Sequence, residues 1–225
     1  TNPRFRVYKP GGQVHAVAFA GDTAFIAAGN DGIHVRKVWP DIKQIAEYPT
    51  DGFAVDIKVL GDYVYVAESK GGMSIWKRKA EDAIECVGRY RDGNYPVRKV
   101  VIPLPGKYAL LQVGDSHLHI VDVSEPANPK PVLKDSRIGY LCGYQIAEGL
   151  LENRYACGFW HVSGFHWYDV YGGEIPIYAG RNYPLRADGG MAFIGTSALA
   201  TYKGGYLIFN FKESRPIDAL PLYEA

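Results

Sequence analysis

The feature that most restricts this chain is a short pattern that returns five times. Residues 63–76 read YVYVAESKGGMSIW, an alternating apolar run, a glycine hinge and a second alternating run. The same arrangement occurs at 24–38 (AFIAAGNDGIHVRKV), 64–78 (VYVAESKGGMSIWKR), 109–123 (ALLQVGDSHLHIVDV), 155–170 (YACGFWHVSGFHWYDV) and 198–211 (ALATYKGGYLIFNF). Alternation with period two is the mark of a half-buried strand. The hinges, rich in Gly, Asp and Ser, suit two-residue primed turns with positive φ at Asp31–Gly32 and Gly71–Gly72. The equivalent hinge residues Gly32, Gly72, Ser116, Gly164 and Gly205 are 40, 44, 48 and 41 residues apart.

Periods of this size, built from strands without helices, point to propeller blades. Each hairpin has a further strand on either side. In the first unit these are VHAVAFAG and KQIAEYPT, and in the second AVDIKVLG and ECVGRYRD. Four antiparallel strands, a to d from the axis outward, make one blade. A lone sheet would leave two apolar faces open, so neighbouring sheets must cover them. The fold class expected is all-β, a β-propeller of five four-stranded antiparallel blades at approximately 14–52, 53–93, 94–138, 139–183 and 184–225, forming one domain over 1–225. RFRVYK (4–9) is an extra alternating stretch. It reads either as an arm lying across the propeller or as a sign that the chain is a fragment of a larger propeller. The start at Thr1, with no charged leader and apolar stretch behind it, is expected of a processed form or an excised domain.

Composition narrows the classes. The 17 tyrosines against 2 methionines favour pleated, half-buried surfaces. A formal charge of +1 gives no electrostatic case for nucleic acid or an anionic membrane. No apolar run approaches the roughly 20 residues that membrane insertion of a helix needs. Cys86, Cys142 and Cys157 have no zinc-ligand spacing, and no metal or cofactor is expected. A turn near 149–150 would set Cys142 opposite Cys157, where a disulfide is one alternative and free thiols the other.

The stretch HIVDVSEPANPKPV (119–132), with GDYVYVA (61–67), resembles the LVIVD-repeat family. Its units run Gly-x-Tyr-x-Tyr-Val-Ala, a glycine hinge, then Leu-x-Ile-Val-Asp-Val-Ser-x-Pro-x-x-Pro. The resemblance implies a β-propeller, an extracytoplasmic location (periplasmic, cell surface or secreted) and no uniform activity. The residues carry the same sense by themselves. Pro126 and Pro129 cannot donate to a ladder and so force an irregular c–d crossing, while Asp122 reads as a structural acid bonded to nearby backbone.

In a propeller the d–a and b–c connections emerge on one face. Placed there by the repeat are His15, Asp56, Arg98, Tyr144, Trp160, His161, Arg186 and Asp188, the expected ligand-binding residues. Aromatic rings suit a sugar face and arginines a carboxylate. His117 and His119 share a strand face but lack an evident third ligand. GDSHL (114–118) is a hairpin hinge rather than an esterase motif, and no P-loop, HExxH or GxSxG occurs. The function expected is a ligand- or partner-binding module, with a glycan or a protein as partner. The alternative is a carbohydrate-active enzyme, a polysaccharide lyase or a glycosidase, working at the channel mouth with Asp56 and Asp188 as the carboxylate pair.

Overall fold

The computed structural model describes the backbone of residues 12–80, 83–93, 95–102, 106–115, 117–135, 147–151, 154–161, 164–171, 177–178, 191–194, 197–202, 205–210 and 215–221, and side chains within 12–134 of these. The stretch at 4–9 lies outside them. The chain divides into two compact units, Thr1–Val100 with Pro126–Asn128, and Val101–Glu125 with Pro129–Ala225.

The first unit holds two antiparallel sheets of like design. One is β1 (Ala16–Ala20), β2 (Thr23–Ala27), β3 (Ile33–Lys37) and β4 (Lys43–Tyr48), paired in that order. The other is β5 (Asp56–Leu60), β6 (Tyr63–Ala67), β7 (Met73–Arg78) and β8 (Ile84–Tyr90), also paired in order. A third sheet follows the same rule with β9 (Val97–Val101), β10 (Tyr108–Val113), β11 (His117–Asp122) and β12 (Lys130–Asp135). The described side chains lie on these twelve antiparallel strands and on the connections between them. In the second unit the backbone continues the pattern: β13 (Ala147–Leu151), β14 (Arg154–His161), β15 (Gly164–Tyr171) and β16 (Ile177–Tyr178) pair in order, as do β17 (Met191–Ile194), β18 (Ser197–Tyr202), β19 (Gly205–Asn210) and β20 (Arg215–Pro221).

The core of the first unit is the space between its two sheets. Phe25, Ala27, Ile33 and Val35 of one sheet meet Ala54, Ile57, Val64, Val66, Trp76 and Ile84 of the other. Ala16, Ala18 and Ala20 pack against this cluster, so the small side of the alternating strand β1 faces inward. Burying each large aliphatic or aromatic side chain contributes about 1.5–3 kcal/mol, which makes this seam the main source of the unit's stability.

The turns differ from the sequence expectation. Positive φ occurs at Gly29 and Gly32, and at Ser69 and Gly72, rather than at the pairs Asp31–Gly32 and Gly71–Gly72. The b–c hinges are five-residue connections, 28–32 and 68–72, closed by the same set of backbone bonds. Ala28 and Glu68 N–H each donate to the glycine carbonyl four residues on, Gly32 and Gly72, both at 2.8 Å. The two-residue glycine turns lie instead at the a–b corners, Gly21–Asp22 and Gly61–Asp62, where only the glycine has positive φ. That is the type II′ requirement.

The c–d irregularity lies within the paired strands, as a bulge, and not at the Pro126–Pro129 connection where the two prolines predict it. Val35 pairs with Ala46 and Arg36 with Gln44, skipping Ile45. Val87 and Val132 are skipped in the same way in the next two sheets, and Ile217 in the last. One extra residue bends the outer strand and raises its twist. Asp122 accepts the Ser124 N–H at 2.9 Å and the Ser124 hydroxyl, the structural role expected of it. Burial pushes its carboxyl up, but these two bonds outweigh that, and it ends below the ordinary range.

The glycines separate two kinds of strain. A Cβ at Gly72 would collide with the Tyr90 carbonyl, whereas one at Gly61 would meet nothing within 4 Å. Both residues are left-handed. Gly61→Ala is therefore expected to lose about 1–2 kcal/mol from conformation alone. Gly72→Ala should lose about 1–3 kcal/mol more, because the outer strand has to move aside. Urea midpoints measure the difference, and equal losses would show that the hinge does not abut β8.

Candidate functional site

The d–a segments of the first unit lie across its b–c hinges, and this sets the face where the sequence places a site. Gly12 sits on the 28–32 hinge, where a Cβ would come 2.6 Å from Asp31 Oδ2. Forty residues on, Gly52 sits on the 68–72 hinge, where a Cβ would come 2.6 Å from Gly71 N. Each hinge also reaches the following a segment through a two-bond bridge. Gly29 and Ala54 exchange N–H···O bonds of 3.1 and 3.0 Å, and Ser69 and Val97 exchange bonds of 3.1 and 2.9 Å.

At the centre of this framework is an acid that the sequence reading passed over. The Glu68 side chain is fully buried. Its Oε1 accepts the Ser74 hydroxyl, and Ser74 Oγ in turn accepts the Trp76 indole N–H at 2.7 Å. Its Oε2 accepts the Asp51 backbone N–H at 3.1 Å and Arg89 Nη1 at 3.0 Å. Arg89 also reaches Asp51 Oδ2 at 3.3 Å, and Arg91 Nε donates to the Gly71 carbonyl at 3.3 Å. Burial pushes the Glu68 carboxyl above the ordinary range, opposed by the bonds from Ser74 and Asp51 and by the Arg89 charge. A clue was present in sequence: the hinge of the second sheet opens with an acid directly after the buried strand end Ala67, where the first hinge opens with Ala28.

Of the expected ligand-binding residues, three have described side chains. His15 is exposed just ahead of β1, with its ring edge to that of Phe53 at a centroid distance of 4.9 Å. Asp56 opens β5 and accepts the Val100 N–H at 3.0 Å. Burial is the larger influence on Asp56 and raises its carboxyl above 3.8, with the Val100 bond acting in the opposite direction. Arg98 is exposed on β9. Tyr95, at 59% exposure, is a neighbour in sequence that the reading did not single out. Trp160 and His161 are the last two residues of β14, so the strand runs through positions expected in a loop; their side chains lie outside those described. Tyr144, Arg186 and Asp188 also lie outside the described residues. So does Cys142, but the hairpin register sets Cys157 opposite Glu148, because Gly149 pairs within the strand with Ala156 instead of forming the turn.

Comparison with known proteins gives the class. The β-propeller domain of Cps50 (Swd1) from Myceliophteria thermophila matches with a TM-score of 0.62 at 9% identity, over 94% of this chain and 74% of that one. Sqt1 from Chaetomium thermophilum, in a structure bound to the N-terminus of the ribosomal protein L10, matches with 0.73 at 14%, over 98% and 64%. BamB from Moraxella catarrhalis matches with 0.66 at 13%, over 95% and 63%. The fold is that of a β-propeller, and the chain spans less than two thirds of the Sqt1 and BamB chains. The LVIVD repeat model matches residues 51–75 and 101–135, so the chain carries LVIVD repeats in its second and third sheets. No curated protein matches it in sequence.

A raised carboxyl reverses the usual pH dependence of an acid. Below about pH 4 Asp56 is protonated in both states, and its relative contribution is then greatest. As pH rises, the unfolded chain loses its proton first and stability falls until the folded group titrates. Asp56→Asn retains an oxygen for the Val100 bond and has nothing to ionise. Its stability relative to the parent is expected to rise between about pH 4 and pH 7, as read from urea midpoints across that window. A constant difference would contradict the burial of this carboxylate.

Proposed function

We propose that this chain is a binding module, its five sheets acting as five blades, which engages its ligand on the face of the d–a and b–c connections. The observation that carries this reading is the exposure on this face of His15, Tyr95 and Arg98. Exposed aromatic and cationic side chains are the types that grip a ligand. This face of the first unit is proposed to take an acidic sugar, and Tyr144, Trp160, His161, Arg186 and Asp188 of the second unit are proposed as ligand-binding residues of the same chemistry. Rings stack on the sugar face and arginine takes the carboxylate in a two-bond fork. An extracytoplasmic location goes with the proposal and is supported by the LVIVD resemblance. A protein terminus is the second reading, favoured by the Sqt1 structure with its bound L10 N-terminus.

An oligouronide series titrated calorimetrically tests it. Arg98→Ala and Trp160→Ala are each expected to weaken binding by about 1–3 kcal/mol, roughly five- to 150-fold, with the fold retained. Binding unchanged in both variants would place the site elsewhere.

A further inference from the structure

The connection from the first sheet to the second, residues 49–55, is held at two points. At one end Gly52 rests on Gly71, and the Asp51 N–H donates to buried Glu68. The Thr50 hydroxyl closes the bend on the Gly52 carbonyl at 2.7 Å. At the other end the Phe53 ring lies over Gly29, where a Cβ would come 2.8 Å from its Cζ, and it meets His15. A single residue, Gly52, therefore separates the one whose amide Glu68 holds from the one whose ring contacts His15. The corresponding positions one repeat earlier are Ala28, Gly12 and Gln13, which provide neither the acid nor the ring. Of the two hinges in the first unit, only the second carries this arrangement.

We propose that Glu68 is a positioning residue for the binding face: by holding the Asp51 amide it fixes the 50–53 bend and so keeps Phe53 against His15. The inference rests on the reading of that face as a binding site, but its test is made on the ligand-free protein. Failure here therefore leaves the binding reading untouched, and failure of oligouronide binding leaves this intact. The carboxylate suits the task because one oxygen accepts from both the loop amide and Arg89, while the other is held by Ser74. A Gln side chain could keep its oxygen on the Asp51 amide and turn its NH2 to the Ser74 hydroxyl oxygen, whereas a Leu side chain has no acceptor and releases that amide. The charged and titratable groups facing Glu68 are Asp51 on the connection and Arg89 and Cys86 on β8.

The reporter is the ring-current displacement of the assigned His15 imidazole protons, with Phe53→Leu as the zero. In Glu68→Leu these resonances are expected to move at least halfway from the parent positions toward those of Phe53→Leu. In Ser74→Ala, which damages the same network but leaves the Asp51 bond, they should stay near the parent positions. Unmoved resonances in Glu68→Leu would overturn the proposal. So would an equal movement in Ser74→Ala, which would reduce Glu68 to a general stabiliser. Should Glu68→Leu fail to fold, Asp51→Asn decides, since it keeps the amide and removes the loop carboxylate. In that variant the residue-51 amide proton is expected to titrate in step with the Glu68 side-chain carboxyl carbon, and an amide that does not follow it would overturn the proposal.

Discussion

The structure of the first unit depends on a pair of backbone bonds that leave each b–c hinge and bind the start of the next a segment. A hinge inside one sheet thereby becomes the joint to the following one. Gly29 with Ala54 and Ser69 with Val97 are equivalent pairs, and each left-handed residue turns its N–H and carbonyl outward to make the bridge. Gly29 takes this conformation freely; Ser69 at φ 49° takes it at a cost of about 1–2 kcal/mol. Two bonds worth about 1 kcal/mol each offset that cost. The seam of Phe25, Ile57, Val64 and Trp76 then closes between sheets whose spacing the bridge has set.

With the joint common to both sheets, their polar networks are free to differ, and they do so by exchanging charge. The first sheet has a buried cation, Arg36, on β3, paired at 2.8 Å with Glu47 on β4, and buried His34 stands beside it. The second sheet has its buried acid in the hinge, and the position corresponding to Glu47 is Arg89. Arg36 is the main cause holding the Glu47 carboxyl below its ordinary value, whereas Glu68, desolvated, moves the other way. One backbone therefore carries opposite electrostatic solutions. The exposed ends of these networks, Asp51 and Arg91 among them, lie beside the face proposed to bind.

Much of this architecture was legible in the sequence because the hinge glycines are required by geometry. Gly32 and Gly72 recur where a Cβ would strike the outer strand, and the alternating runs around them show period two. The turn types were less legible. Gly-Asp at the a–b corners and Asp-Gly or Gly-Gly at the hinges look alike in composition, and only the bridge to the next sheet explains why the hinge needs five residues. The candidate site was legible in part. His15 and Arg98 could be placed by repeat arithmetic, and Asp56 with them. Glu68 was missed because its role arises from Asp51, Ser74 and Arg89, which lie 17, 6 and 21 residues away. Such a network has no motif. Gly149 misled in the opposite sense, reading as a turn residue while lying inside a strand.

The hinge bridges are part of the cooperative framework, although their residues stand at the ends of connections. Native-state amide hydrogen exchange of the first unit measures this directly. The Gly29, Ala54, Ser69 and Val97 amides are expected to open only with the strand amides of β6, at the free energy of global unfolding. Exchange of these four at the rate of exposed loop amides, while β6 remains protected, would contradict the account.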